Sequence, residues 1–77
     1  MYIPKHVREE IIELLPIPDF EDYLKFATQY FKELIAVGVF LSDVKFINLS
    51  LKAQRIVLFG AYRLWITREK EINTDIM

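Results

Sequence analysis

The sequence predicts an all-α fold, a small three-helix bundle with a long central third helix and a packed connection between helices two and three. Three observations carry this. Leu51–Lys70 is free of proline and holds the only Trp, and its apolar residues cover an arc far wider than the stripe of an ordinary surface helix. Residues 19–37 form the cleanest amphipathic pattern in the chain. Residues 5–15 repeat apolar side chains at helical spacing until Pro16 stops them.

The first helix, near 5–15, follows Pro4, whose missing N–H is one that a first helical turn leaves unpaired anyway. Val7, Ile11, Leu14 and Leu15 make its apolar face, and Glu9, Glu10 and Glu13 its wet side. Ile17 lies between two prolines and is forced to extended geometry, so Leu15–Pro18 reads as a stiff elbow. Asp19 then caps a second helix near 19–37, with Glu21 and Asp22 placing negative charge in its first turn. Phe20, Tyr23, Leu24, Ala27, Tyr30, Phe31, Leu34 and Ile35 share one face. Gly38 suits the left-handed residue that closes this helix, with Val39 packing back on the last turn.

Val39–Leu49 is long for a connection in a bundle and is apolar at seven of its eleven positions. It reads as a packed crossing segment, with either a helical turn after Ser42 or an extended piece at Val44–Ile47. The third helix, near 50–70, starts at Ser50 as N-cap. Leu58, Ala61, Tyr62 and Trp65 form one side of it, and Ile56, Val57, Gly60 and Leu64 widen the surface. Gly60 costs about 1 kcal/mol relative to Ala in a helix interior, so its presence there predicts a close approach of another helix. Phe31, Leu34, Leu58 and Leu64 are the expected core. The helix frays near Glu71, and residues 72–77 read as a mobile tail. The chain is thus one domain: an N-terminal helix with its elbow over 1–18, core helices over 19–71, and the tail.

A 77-residue chain buries only about 60% of the surface that its unfolded form exposes, so its stability margin is thin. Without cysteine it has no disulfides or thiolate metal sites, and its single His6 does not make a structural zinc site. No cofactor is expected. At 53% hydrophobic and 14% aromatic the chain carries more apolar side chain than so small a domain hides, which predicts an interface. No signal peptide or membrane span is visible, and a soluble, cytosolic origin is expected.

The net charge of −1 conceals a division. Residues 1–38 carry four basic and seven acidic groups, whereas residues 39–77 carry six basic and four acidic. No acid lies between Val44 and Arg68. Lys52, Arg55, Arg63 and Lys70 recur along one arc of the third helix, with Phe59 and Ile66 between them; this stripe fits a solvated face, a protein interface or, least well, a nucleic-acid surface. His6, Glu9, Glu10 and Glu13 share helical spacings, but a bundle metal site needs ligands from a second helix, and none offers a matching set. With one His on a polar face and no glycine-rich loop, the sequence has no catalytic constellation, and a non-enzymatic protein is expected.

From Asp19 onward, the aromatic-rich helix, the crossing segment and the final SLKAQRIVLFGAYRLWITREKE stretch resemble the small helical head–tail connector (adaptor) proteins of tailed bacteriophages. The resemblance implies a structural virion protein that forms a ring between portal and tail components. This chain is shorter than expected of that family, which puts in doubt the extra helix or loop such connectors use to grip the portal. The competing class is a small helical regulatory or adaptor module, cytoplasmic and able to work as a dimer, that binds a protein partner or, less favoured, nucleic acid. The charge division predicts head-to-tail contacts between copies, with Glu9, Glu10, Glu13 and Asp22 meeting Arg55, Arg63 and Arg68, and Phe59 or Trp65 as the apolar anchor.

Overall fold

A computed structural model of the chain describes the backbone of residues 1–76 and the side chains of residues 1–68. It contains α1 (Lys5–Leu14), α2 (Phe20–Ala36), a single 3-10 turn at Phe46–Asn48, and α3 (Leu51–Ile76). Among the described residues this is the three-helix architecture without strands that the apolar periodicity predicts. The helix starts follow the chemistry of the caps. The Pro4 carbonyl accepts the Val7 and Arg8 amides at 3.0 and 2.9 Å. Asp19 accepts the Asp22 amide at 3.1 Å, and Ser50 the Ala53 amide at 3.1 Å, so each side chain satisfies an amide that its helix leaves free.

α2 ends as its sequence predicts. Gly38 has φ +87°, its amide bonds the Ile35 carbonyl and the Val39 amide bonds the Leu34 carbonyl, the paired pattern of a glycine-closed helix. Val39 does not pack back on the last turn as expected: it is 58% exposed. α3 also departs from expectation at its far end. Its helical backbone continues past residue 70 to Ile76, while the side chains of the expected tail lie outside the described residues.

The core gathers Ile3, Val7 and Ile11 from the N-terminal segment, Tyr23, Ala27 and Phe31 from α2, Phe46 from the connection, and Val57, Leu58, Ala61 and Trp65 from α3. α2 and α3 run antiparallel. Tyr23 meets Trp65 and Tyr62 at one end, and at the other Phe31 meets Phe46, whose carbonyl Gln54 holds. Between these ends the Tyr30 side chain reaches across to Gly60, where a Cβ would stand 2.8 Å from its hydroxyl oxygen. The space that Gly60 leaves is thus filled by the end of one tyrosine side chain, and any side chain there must displace the Tyr30 ring.

The connection is anchored at alternate points rather than along its length. Phe40 and Phe46 both lie against the Phe31 ring, each at 5.7 Å between centroids, and Val44 and Leu49 are half-buried. Leu41 and Ile47 stay exposed. Gln54, almost fully buried, spreads its amide protons over the carbonyls of Phe46, Ile47 and Leu49 at 3.1–3.4 Å. One side chain thereby satisfies the Ile47 and Leu49 carbonyls and adds a second donor to the Phe46 carbonyl, which also accepts the Leu49 amide.

One expected core residue, Leu64, and two residues of expected apolar faces, Ile56 and Leu14, need correction. Leu64 is 48% exposed and Ile56 61% exposed, because α1 and α2 together cover only part of the apolar arc of α3. Leu14, the last residue of α1, is 58% exposed, and the chain turns extended at Leu15 (φ −121°, ψ 135°). From that point the two-residue period of extended backbone takes over: Leu15 and Ile17 turn inward to half-buried positions, and Pro16 and Pro18 stay exposed. Phe31 and Leu58 are core as expected, and Leu34 is half-buried against it.

Truncation should separate these groups. Leu58→Ala is expected to cost about 2–5 kcal/mol, and Leu64→Ala less than about 1 kcal/mol, in urea melts. Equal losses at the two positions would contradict the burial assigned here.

Candidate interaction surface

Three surfaces result from this packing, and the functional residues expected from the sequence fall unevenly among them. The first is the outer face of α3. Lys52, Ile56, Phe59 and Arg63 recur at steps of four, three and four, and all are exposed, Phe59 least at 36%. Two apolar side chains therefore sit between two cations on one helix stripe. Lys70 would extend it, but its side chain lies outside the described residues.

Arg55 borders this stripe and does not face outward for a partner. Its Nε and Nη2 donate to the two Glu10 carboxylate oxygens at 3.0 and 3.1 Å, a bidentate pair that ties α1 to α3. Tyr62 reinforces the same junction by donating to the Pro16 carbonyl at 3.2 Å. Trp65 is likewise used within the chain. It is 5% exposed, and its indole N–H donates to Asp22 Oδ2 at 3.0 Å. A buried indole requires an acceptor for its N–H, and the first turn of α2 supplies a carboxylate at the right place. Of the residues expected at a contact between copies, Arg55 with Glu10 and Trp65 with Asp22 thus meet inside one molecule. Glu9, Glu13 and Arg63 remain exposed, and Arg68 lies over the Phe26 ring at 5.9 Å.

The second surface is an open groove of about 800 Å³ between α2 and the C-terminal part of α3. Lys25, Arg68 and Glu33 line it along with Phe26, Tyr30 and Leu64, so it carries both signs of charge.

The third was not evident in the sequence. A slot of about 370 Å³ opens between the N-terminal segment, the C-terminal half of α2 and the 3-10 turn. Phe31 and Phe46 meet edge-to-face at 5.7 Å in its wall, Ile35 and Ile47 extend the apolar lining, and Lys32 and Lys45 stand beside it. This volume lies at the lower end of the roughly 300–1,000 Å³ usual for a small-molecule pocket, room enough for a few side chains. Only the spacing of Phe31 and Ile35 was legible beforehand, since Phe46 and Ile47 join them through tertiary contact.

Among the described residues no helix is long and apolar enough to cross a membrane. Comparison of the chain with protein-family models, curated proteins and solved structures finds no match.

The Glu10–Arg55 pair can be measured by a double-mutant cycle with Ala at each position. A partly exposed pair of this geometry should couple by about 0.3–1 kcal/mol at low salt, and the coupling should fall as added salt shortens the screening length. No coupling at low salt would mean that α1 is not held to α3 by these charges.

Proposed function

We propose that this is a non-enzymatic interaction protein that assembles with copies of itself and presents the assembly to other structural proteins. The supporting observation is the quantity and grouping of uncovered apolar surface. Among the described residues eleven large hydrophobic side chains are at least 36% exposed. Scattered exposure of this kind is normal, because more than half of any folded surface is apolar. Here the residues group: Ile56 and Phe59 on the α3 stripe, and Val37, Val39, Leu41 and Ile47 where α2 ends and the connection crosses. Grouped apolar residues rimmed by charge are what a docking surface requires.

The resemblance to phage head–tail connectors supports a ring located in the virion between portal and tail components. A second reading, a cytoplasmic regulatory or adaptor module that works as a dimer, is favoured by the α3 stripe, since a single exposed helix face serves a two-fold contact well. Native mass spectrometry separates them. A closed ring of many copies is expected for the connector reading and a dimer for the module. A monomer at every concentration up to about 0.1 mM would contradict self-association.

A further inference from the structure

The geometry points to a head-to-tail contact in which the proline elbow of one copy inserts into the Lys32–Lys45 slot of the next. This rests on the self-association proposed above and assigns its two faces. The elbow is the first. The turn to extended backbone after α1 leaves Leu14, Pro16 and Pro18 exposed in a row, while Leu15 and Ile17 fasten the segment to the core. Two prolines fix the backbone of this knob, and the Tyr62 hydroxyl holds the Pro16 carbonyl, so little conformational freedom remains to be lost on docking. Its charge is one-sided. Residues 12–22 contain Glu13, Asp19, Glu21 and Asp22 and no base. Asp19 is engaged as a helix cap and Asp22 by Trp65, which leaves Glu13 and Glu21 exposed beside the knob. Arg8 stacks on Phe20 at 4.7 Å at its edge.

The slot is the complement in shape and sign. It is apolar within, two lysines stand beside it, and none of its lining residues is acidic. Glu33, next in sequence to Lys32, lines the opposite groove instead. The knob and the slot lie at opposite ends of α2. Phe20 follows the elbow and Ile35 lines the slot, which separates them by about 22 Å of helix. A molecule with complementary surfaces at opposite ends makes heterologous contacts, which close into a ring or run on as a filament. Burial of Leu14 and the proline rings supplies the affinity, and the Lys32 and Lys45 contacts with Glu13 and Glu21 set the register.

The test uses Leu14→Asp, which spoils the knob, and the double variant Lys32→Glu with Lys45→Glu, which spoils the slot. All three residues are exposed, so each variant should melt like the parent by circular dichroism. In native mass spectra the parent should assemble and each variant alone should be monomeric. Mixed one to one, the variants should form a heterodimer and nothing larger, because one retains only a knob and the other only a slot. Adding Glu13→Lys and Glu21→Lys to the slot variant should restore assembly of that chain with itself. Assembly of both single-face variants like the parent, or a mixture that stays monomeric, overturns the knob-and-slot contact while leaving self-association through another face intact. A monomeric parent overturns both.

Discussion

The molecule depends on one buried contact between α2 and α3. The Tyr23 side chain is wholly buried, and its hydroxyl donates to the Leu58 carbonyl at 2.6 Å. Leu58 lies inside α3, so this bond reaches a carbonyl in the middle of a helix. The Tyr23 ring is also surrounded by Trp65, Tyr62 and Phe20 at centroid separations of 5.6, 6.2 and 5.9 Å. A slip of α3 by one residue would carry the acceptor about 1.5 Å along the axis and turn it about 100°, breaking the bond and misplacing the Tyr62 and Trp65 rings together. The register of the two long helices is therefore fixed by hydrogen-bond geometry as well as by shape. Gly60 then lets α3 approach Tyr30, and Gln54 attaches the connection to the start of α3.

With that register set, the remaining polar groups follow. Glu10 reaches Arg55 and Asp22 reaches Trp65 because α1 and α2 lie on either side of α3 in fixed alignment. These contacts consume part of the acidic and basic surface that the charge division would otherwise offer to a neighbour. What is left for a partner is displaced to the ends of the molecule and to the outer face of α3. The two ends differ in character, an acidic knob against a basic slot, and this polarity gives the proposed assembly its direction.

Much of this architecture was legible in the sequence because it is local. Asp19, Ser50 and Gly38 act through atoms within a few residues of themselves, and the apolar face of α2 is a matter of spacing. Long-range pairings were not legible. Glu10 and Arg55 are 45 residues apart, and their charges are as compatible with a contact between copies as with one inside the chain. Leu64 failed as a core residue for a related reason: a wide apolar arc shows that a helix is to be covered, but not whether its own chain does the covering. Gln54 was readable and was overlooked. It shares the spacing of Leu58, Ala61 and Trp65, and a polar residue on a buried stripe signals a backbone to be satisfied. The knob depends on the change from helical to extended periodicity at Leu15, which turns Leu15 and Ile17 inward and leaves Pro16 and Pro18 outside.

The contact between Tyr23 and Leu58 has a direct signature in pH. Burial, and secondarily the nearby Tyr62 phenol, push the Tyr23 pKa well above the ordinary tyrosine value. The folded chain therefore keeps a proton that the unfolded chain releases above about pH 10. The stability this contributes is fully present below that pH and is lost as the pH rises toward the folded-state value, by up to about 1.4 kcal/mol per unit. The decisive measurement is urea-unfolding stability from pH 8 to 11, roughly the range below and above the ordinary tyrosine pKa, for the parent and for Tyr23→Phe. The account predicts that the variant is less stable than the parent at pH 8 and that the gap narrows above about pH 10, because the variant has no Tyr23 proton to lose. A gap that stays constant across the range, or no loss in the variant at any pH, would contradict a neutral, hydrogen-bonded Tyr23 at the centre of the fold.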